Sequence, residues 1–327
     1  MKKNLLIDRR QALGLGAAAV AAFGLAACDS GEAPAPAPES KGSGSAVQAD
    51  TSIQIDADAY DKLLATGPVA EDSVVAANTW ASKVKDAGKL RVGGVETSTL
   101  FSLKNEKDGH VRGFDAGLSQ LLARYVTGSE SNTELLQVTS DTRESVLQND
   151  QVDSVFGTYS ITDKRKEVIS FGGPYYSTQQ SILVMADNKD INSVDDLNGK
   201  TVAVQSGSTG PDIVKELAPE ATQQEFKTDE EARQALNDAR VDAYVIDTNM
   251  QMGSMVKNPG KYRLAGDPFG PTDLYGIGLP KDSDAVDFVN VFLKEVEDSG
   301  IWEDLWKICI GDRAGVDTVP EPPAIGA

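Results

Sequence analysis

The stretch RESVLQNDQVDSVFGT, residues 143–158, is echoed by EARQALNDARVDAYVID, residues 231–247. Each reads as a short helix, a turn and an apolar strand. Leu147 precedes the Val152-Asp153 pair by the same interval that separates Leu236 from Val241-Asp242. A chain that uses one such unit twice is expected to fold as an α/β protein with two related halves. In the shared register Thr158 and Asp247 fall at equivalent places, at the C-terminal ends of two strands. Open α/β sheets hold ligands outside the carboxyl ends of their strands. A ligand clamped between the halves would therefore meet Thr158 from one side and Asp247 from the other.

The surrounding chain fits this plan. KLRVGGV reads as a strand, and GFDAGLSQLLARYVTG as a helix with Leu118, Leu121, Leu122 and Tyr125 on one face. Asp115 is placed to cap that helix and Gly128 to end it. In the second half TVAVQ reads as a strand, and SGSTGPDIVKEL as a Gly-rich bend opening a helix, with Pro211 suited to its first turn. Free N–H groups near Gly207, Ser208 and Thr209 would form a seat for a carboxylate or phosphate. Val286, Val289, Phe292, Leu293 and Val296 form a helical apolar stripe, and Trp302 and Trp306 belong to the core.

The N-terminus is of a different kind. Lys2, Lys3, Arg9 and Arg10 precede an apolar run from Ala12 to Ala27, too short and too rich in Ala and Gly for a membrane span. It ends in LAAC, the pattern of a bacterial lipobox, which predicts removal of residues 1–27 as a signal peptide and lipidation of Cys28. Residues 28–55 are rich in Pro, Ala, Gly and Ser and read as a flexible tether. Residues 56–88 read as a helical extension carrying Leu63, Leu64, Val74, Val75, Trp80 and Val84. The one other cysteine, Cys309, reads as a buried apolar thiol.

Several function classes are disfavoured. With 31 Lys+Arg against 50 Asp+Glu and a net charge of -19, the chain would be repelled by nucleic acid. The single histidine, His110, lies in the polar turn NEKDGHVRG. No clustered Cys/His pattern, GxGxxG or P-loop occurs, so neither metal nor cofactor is expected.

The segments RGFDAGLSQLLARY, DTRESVLQNDQVDSVFGTYSITDKRKEVISFGGPYY, LNGKTVAVQSGSTG, RVDAYVID and DLYGIGLPKDSDA occur in this order over about residues 80–325. In this the chain resembles the solute-binding proteins of polar amino-acid ABC importers, of the family 3 type. It looks closest to the glutamate- or glutamine-binding lipoproteins of high-GC Gram-positive bacteria. The resemblance implies a two-lobed, type II periplasmic-binding-protein-like fold with a ligand cleft and a two-segment hinge. Lobe 1 is expected to comprise residues 89–182 and 277–315, and lobe 2 residues 183–276, with 316–327 as a tail. The chain crosses near residues 180–184 and 275–279.

The resemblance also implies roles. Arg165, helped by Thr158 and Ser160, takes the α-carboxylate of a free amino acid. Ser208 and Thr209 add donors to it, and Asp247 takes the α-ammonium. Arginine meets a carboxylate by two parallel hydrogen bonds, and a carboxylate is the strongest acceptor for an ammonium. Glu96, Thr97 and Phe101 lie where relatives contact the ligand side chain. Glu96 pointing inward would disfavour an acidic side chain, whereas Arg143 would favour one, so glutamate and glutamine are the first expectations. The implied partners are an ABC permease and, through the lipid, the outer face of the cell membrane; the protein is expected to be monomeric. The alternative is a cyclohexadienyl or arogenate dehydratase-like enzyme on the same scaffold, with Glu96 as general acid.

Overall fold

A computed structural model of the chain describes residues 54–326; the lipobox, Cys28 and most of the tether lie outside them. Among the described residues no helix is long and apolar enough to cross a membrane.

Two sets of three parallel strands flank two long antiparallel ones. In the first set Leu90–Gly94 lies between Thr133–Gln137 and Ser154–Val155. In the second Thr201–Gln205 lies between Ala243–Asp247 and Thr222–Phe226. The long strands Ser170–Met185 and Phe269–Leu279 pair with each other and join the sets into one sheet. The two echoed segments supply corresponding parts. Arg143–Gln148 and Asp229–Asn237 are helices, each followed by a turn and a strand of its set. Thr228 and Glu231 close a capping box on the second helix, which fixes where it starts.

The core divides in the same way. One group of buried side chains runs from Tyr60 through Tyr175, Tyr176 and Tyr275 to Ile310, with a smaller cluster around Val152 and Tyr159. The other two clusters draw on residues between Ile182 and Phe269. The protein is therefore a two-lobed α/β molecule with the long strands passing between lobes. Trp302, Trp306 and Cys309 are buried in the first lobe, and Phe292 and Leu293 bury one face of helix Ala285–Asp298 in its core.

The extension forms three helices, Ala57–Ala65, Asp72–Ala76 and Thr79–Ala87. Tyr60, Leu64, Val75, Trp80 and Val84 join the core of the first lobe, while Val74 faces outward. Asp284 fixes the third helix, accepting the Thr79 and Trp80 N–H groups at 2.6 and 3.1 Å. The Trp80 indole donates to the Asp153 carbonyl at 3.0 Å. Truncating a buried Trp of this kind to Ala costs about 3–5 kcal/mol.

Asp115 does not cap its helix. Gly113 holds the cap position, and Asp115, 1% exposed, turns into the first lobe. Gly128 ends the helix in the left-handed conformation its lack of a Cβ permits.

Candidate functional site

A cavity of about 70 Å³ lies where the two parallel sets face each other. The carboxyl ends of all six parallel strands lead into it, through Thr97, Gln137, Thr158, Gln205, Lys227 and Asp247. A larger hollow of about 420 Å³ within the first lobe touches Arg112, Glu130 and His110. The main charges there are spent: Arg112 pairs with Asp61 and Asp108, and Glu130 with Arg124. The cavity between the lobes is the candidate site because it gathers charged groups that are not spent.

On the first-lobe side the backbone is held open to the cavity. Thr158 has φ +45°, unusual for a residue with a branched Cβ. Its N–H donates to Asp115 Oδ2 at 2.7 Å, and Tyr175 donates its hydroxyl to Asp115 Oδ1 at 2.8 Å. Burial raises the Asp115 carboxyl to about 6, although these bonds oppose the shift. Arg143 donates to the carbonyls of Gly157 and Thr158 at 2.9 and 3.3 Å, so the turn is fixed from both sides.

Two guanidinium groups share the Tyr159 ring, Arg143 at 4.2 Å and Arg165 at 5.1 Å from its centroid. Arg165 lies behind the cavity wall. Its terminal nitrogens donate to the carbonyls of Ser160 at 2.7 Å and Gly207 at 2.8 Å, and Glu144 lies 3.4 Å from its Nε. Each terminal nitrogen keeps one further N–H, since guanidinium carries five. Arg143 lines the cavity and is 3% exposed. Its Nε has no protein partner, and among the described residues no carboxylate lies within ion-pair distance of it. Burial, with Arg165 adding to it, lowers Arg143 to about 10, so it stays charged at neutral pH.

On the second-lobe side Asp247 is 6% exposed and holds the N-cap place of helix Thr248–Lys257 without capping it. Its carboxylate instead accepts the Tyr275 hydroxyl at 2.5 Å and the Gln180 amide. Burial pushes it up to about 7; Asp273 adds to the rise, and the bonds from Tyr275 and Gln180 oppose it. Thr209 donates its hydroxyl to Asp273 Oδ2 at 2.8 Å and lies 3.4 Å from the Gln180 amide nitrogen. The Ser208 hydroxyl donates to the Gln205 carbonyl at 2.7 Å and accepts the Gly210 N–H at 3.2 Å. Pro211 enters the first turn of helix Gly210–Leu217.

Thr97, Phe101, Arg143, Thr158, Ser160, Ser208, Thr209 and Asp247 thus share one cavity. Glu96 does not join them; its carboxylate pairs with Lys104 at 3.2 Å. Phe101 is buried edge-on against Tyr176 and Tyr275 and forms part of the floor. Sequence reasoning passed over Gln180, Asp273 and Lys227. Gln180 lies in the polar run 177–181 of one long strand, Asp273 follows Thr272 in the other, and Lys227 directly follows TQQEF, at the level of the other strand ends.

The lobes are closed on each other. Ser206 donates to Asp141 at 2.6 Å across the cleft, beside the Arg165–Gly207 bond.

Residues 90–310 match the model of the bacterial extracellular solute-binding proteins, family 3. A glutamine-binding protein of Geobacillus stearothermophilus is 40% identical over 202 residues, covering 62% of this chain and 76% of that protein. The glutamate-binding protein GluB of Corynebacterium efficiens is 30% identical over 227 residues, covering 66% of this chain and 76% of the relative. Among solved structures, an ancestral arginine-binding protein bound to glutamine is 31% identical with a TM-score of 0.63, covering 68% of this chain and 98% of that one. These relatives are binding proteins rather than enzymes, and family and fold agree: the chain belongs to the bacterial extracellular solute-binding proteins, family 3.

Proposed function

We propose that the protein captures a free polar amino acid, glutamate or glutamine first, outside the cytoplasm and delivers it to an ABC importer in the membrane. The observation that carries this reading is the placing of opposite charges on opposite lobes about one small cavity, Asp247 and Arg143 on its wall and Arg165 behind it. Asp247 offers a buried carboxylate from the second lobe. Arg165 approaches the same place from the first lobe, behind Ser160, with N–H groups still available. A zwitterion satisfies both, its ammonium on Asp247 and its α-carboxylate on Arg165, with Thr158, Ser160, Ser208 and Thr209 around it. Thr97, Phe101 and Arg143 face the rest of the ligand.

Closure then follows from the hinge. The lobe division at residues 89–182 with 277–315 and 183–276 is supported by the change of core along the long strands. Tyr176 packs in one core and Ile182 in the other, and Phe269 and Tyr275 differ likewise. The closed form, with both charges engaged, is the state a permease reads. The N-terminal sequence adds a lipid on Cys28 and a tether over residues 28–55, which would hold a monomeric body at the membrane surface.

Calorimetry on the purified chain, unfolded and refolded to strip any carried solute, tests the reading against the twenty amino acids and prephenate. One or two polar amino acids should give strong heats. Silence from all twenty, or turnover of prephenate, would refute it.

A further inference from the structure

The charge inventory of the cavity has one member that the zwitterion reading leaves unused. Asp229 lies on the wall, but its carboxylate accepts the Tyr244 hydroxyl at 3.1 Å and pairs with Arg233 at 3.0 Å. Asp115 gives both oxygens to Thr158 and Tyr175. The nearby Arg143 charge opposes the rise in its pKa. Glu96, expected to oppose a negative ligand side chain, pairs with Lys104 and does not line the cavity. Lys227 remains. It lines the cavity from the turn after strand Thr222–Phe226. Its backbone is fixed, the N–H donating to Glu231 at 3.1 Å and the carbonyl accepting from Gln205 at 3.4 Å. Its ammonium has no ion-pair partner among the described residues. Lys227 is exposed, and it is the one lysine among the described residues that lines the cavity.

From this we infer that the site is built for an amino acid whose side chain ends in a carboxylate, and that Lys227 selects it over the neutral amide. The inference rests on the proposed zwitterion seat and deepens it. With Asp247 and Arg165 assigned to the two α-groups, two cations on the cavity wall are left for the rest of the ligand. They are Lys227 of one lobe and Arg143 of the other, which line the cavity together with Thr97, Gln137 and Gln205. A carboxylate between two cations from different lobes also favours closure. A carboxamide gains far less there, because it has no charge and only one acceptor oxygen.

The test uses the full chain, stripped by unfolding and refolding, titrated in parallel with L-glutamate and L-glutamine at low and high salt. The expected result is tighter binding of L-glutamate, by about tenfold or more at low salt, narrowing as salt rises. Lys227→Met keeps the length of the side chain and removes its charge. It should raise the Kd for L-glutamate about tenfold and leave that for L-glutamine within about twofold. Equal or tighter L-glutamine binding by the parent protein overturns the inference, as does a Lys227→Met variant that weakens both ligands alike or neither. In those cases the amino-acid reading survives. If neither ligand nor any other amino acid binds, the amino-acid reading itself fails and this inference with it.

Discussion

Gly207 offers a way to penalise the closed form alone. It has φ +70°, and its carbonyl accepts from Arg165. A Cβ added there would stand 2.8 Å from both the Asp141 nitrogen and the Ser140 carbonyl carbon, which are backbone atoms of the opposite lobe. Gly207→Ala therefore has two effects. The left-handed backbone costs about 1–2 kcal/mol for any residue with a Cβ, open or closed. The collision with residues 140–141 exists only when the lobes meet, and overpacking of this kind costs about 1–3 kcal/mol. Gly199 supplies the control, with φ +76° and nothing within 4 Å of its added Cβ. Gly199→Ala should lower the melting temperature of the unliganded protein by a few degrees and leave ligand affinity alone. Gly207→Ala should match it in the unliganded melt and in addition raise the Kd about 5- to 150-fold. Calorimetry for affinity and differential scanning for melting separate the two effects. Equal Kd values for the two variants would refute the reasoning, because closure would then not press Gly207 against the opposite lobe.

The other predictions concern the site and the anchor. Arg165→Ala should weaken ligand binding by roughly 2–5 kcal/mol, the range for one partner of a buried charge pair; unchanged affinity in calorimetry removes Arg165 from ligand binding. Asp247→Asn should raise the Kd at least about tenfold while leaving the melting temperature unchanged or higher, since a buried carboxylate is replaced by a neutral amide; a stability loss without an affinity loss contradicts the ammonium role. Asp247 and Asp115 are raised to about 7 and about 6 in the folded chain, above the ordinary carboxylate range near 4. The folded state thus binds more protons than the unfolded state in that window. Stability of the unliganded protein should fall as pH rises from roughly 4 to 7, and melts across this range that are flat or rise would count against it. Cys28→Ala should release the protein from membrane pellets into the soluble fraction, and continued sedimentation with membranes would point to another anchor.

Some of the site was legible because strand ends are legible. The two echoed units place Thr158 and Asp247 by register alone, and both reach the same cavity. Gly128 and Pro211 announced a helix end and a helix start through their backbone preferences, which act locally. Asp115 misled because an acid at a helix start has two possible partners, the helix N–H groups or something across the fold. Here Thr158 and Tyr175, 43 and 60 residues away, provide the bonds. The same limit hid the lateral position of Arg165, whose partners Ser160 and Gly207 are carbonyls that no side-chain pattern encodes. Glu96 shows the reverse: its pairing with Lys104 depends on a small sheet of short strands, too brief to leave a periodic signal.

The three helices before Leu90 attach to only one of the two lobes, through Tyr60, Leu64, Trp80 and the Asp284 cap. Mechanically, that makes the first lobe the fixed frame and the second the moving jaw. A pull on the N-terminal segment enters at the first helix and is taken up by the first-lobe core, which includes Tyr175, Tyr176 and Tyr275 of the long strands, and not by the second-lobe clusters. Under the proposed lipid anchor, such tension would load the first lobe rather than the second, leaving the second free to close on the ligand.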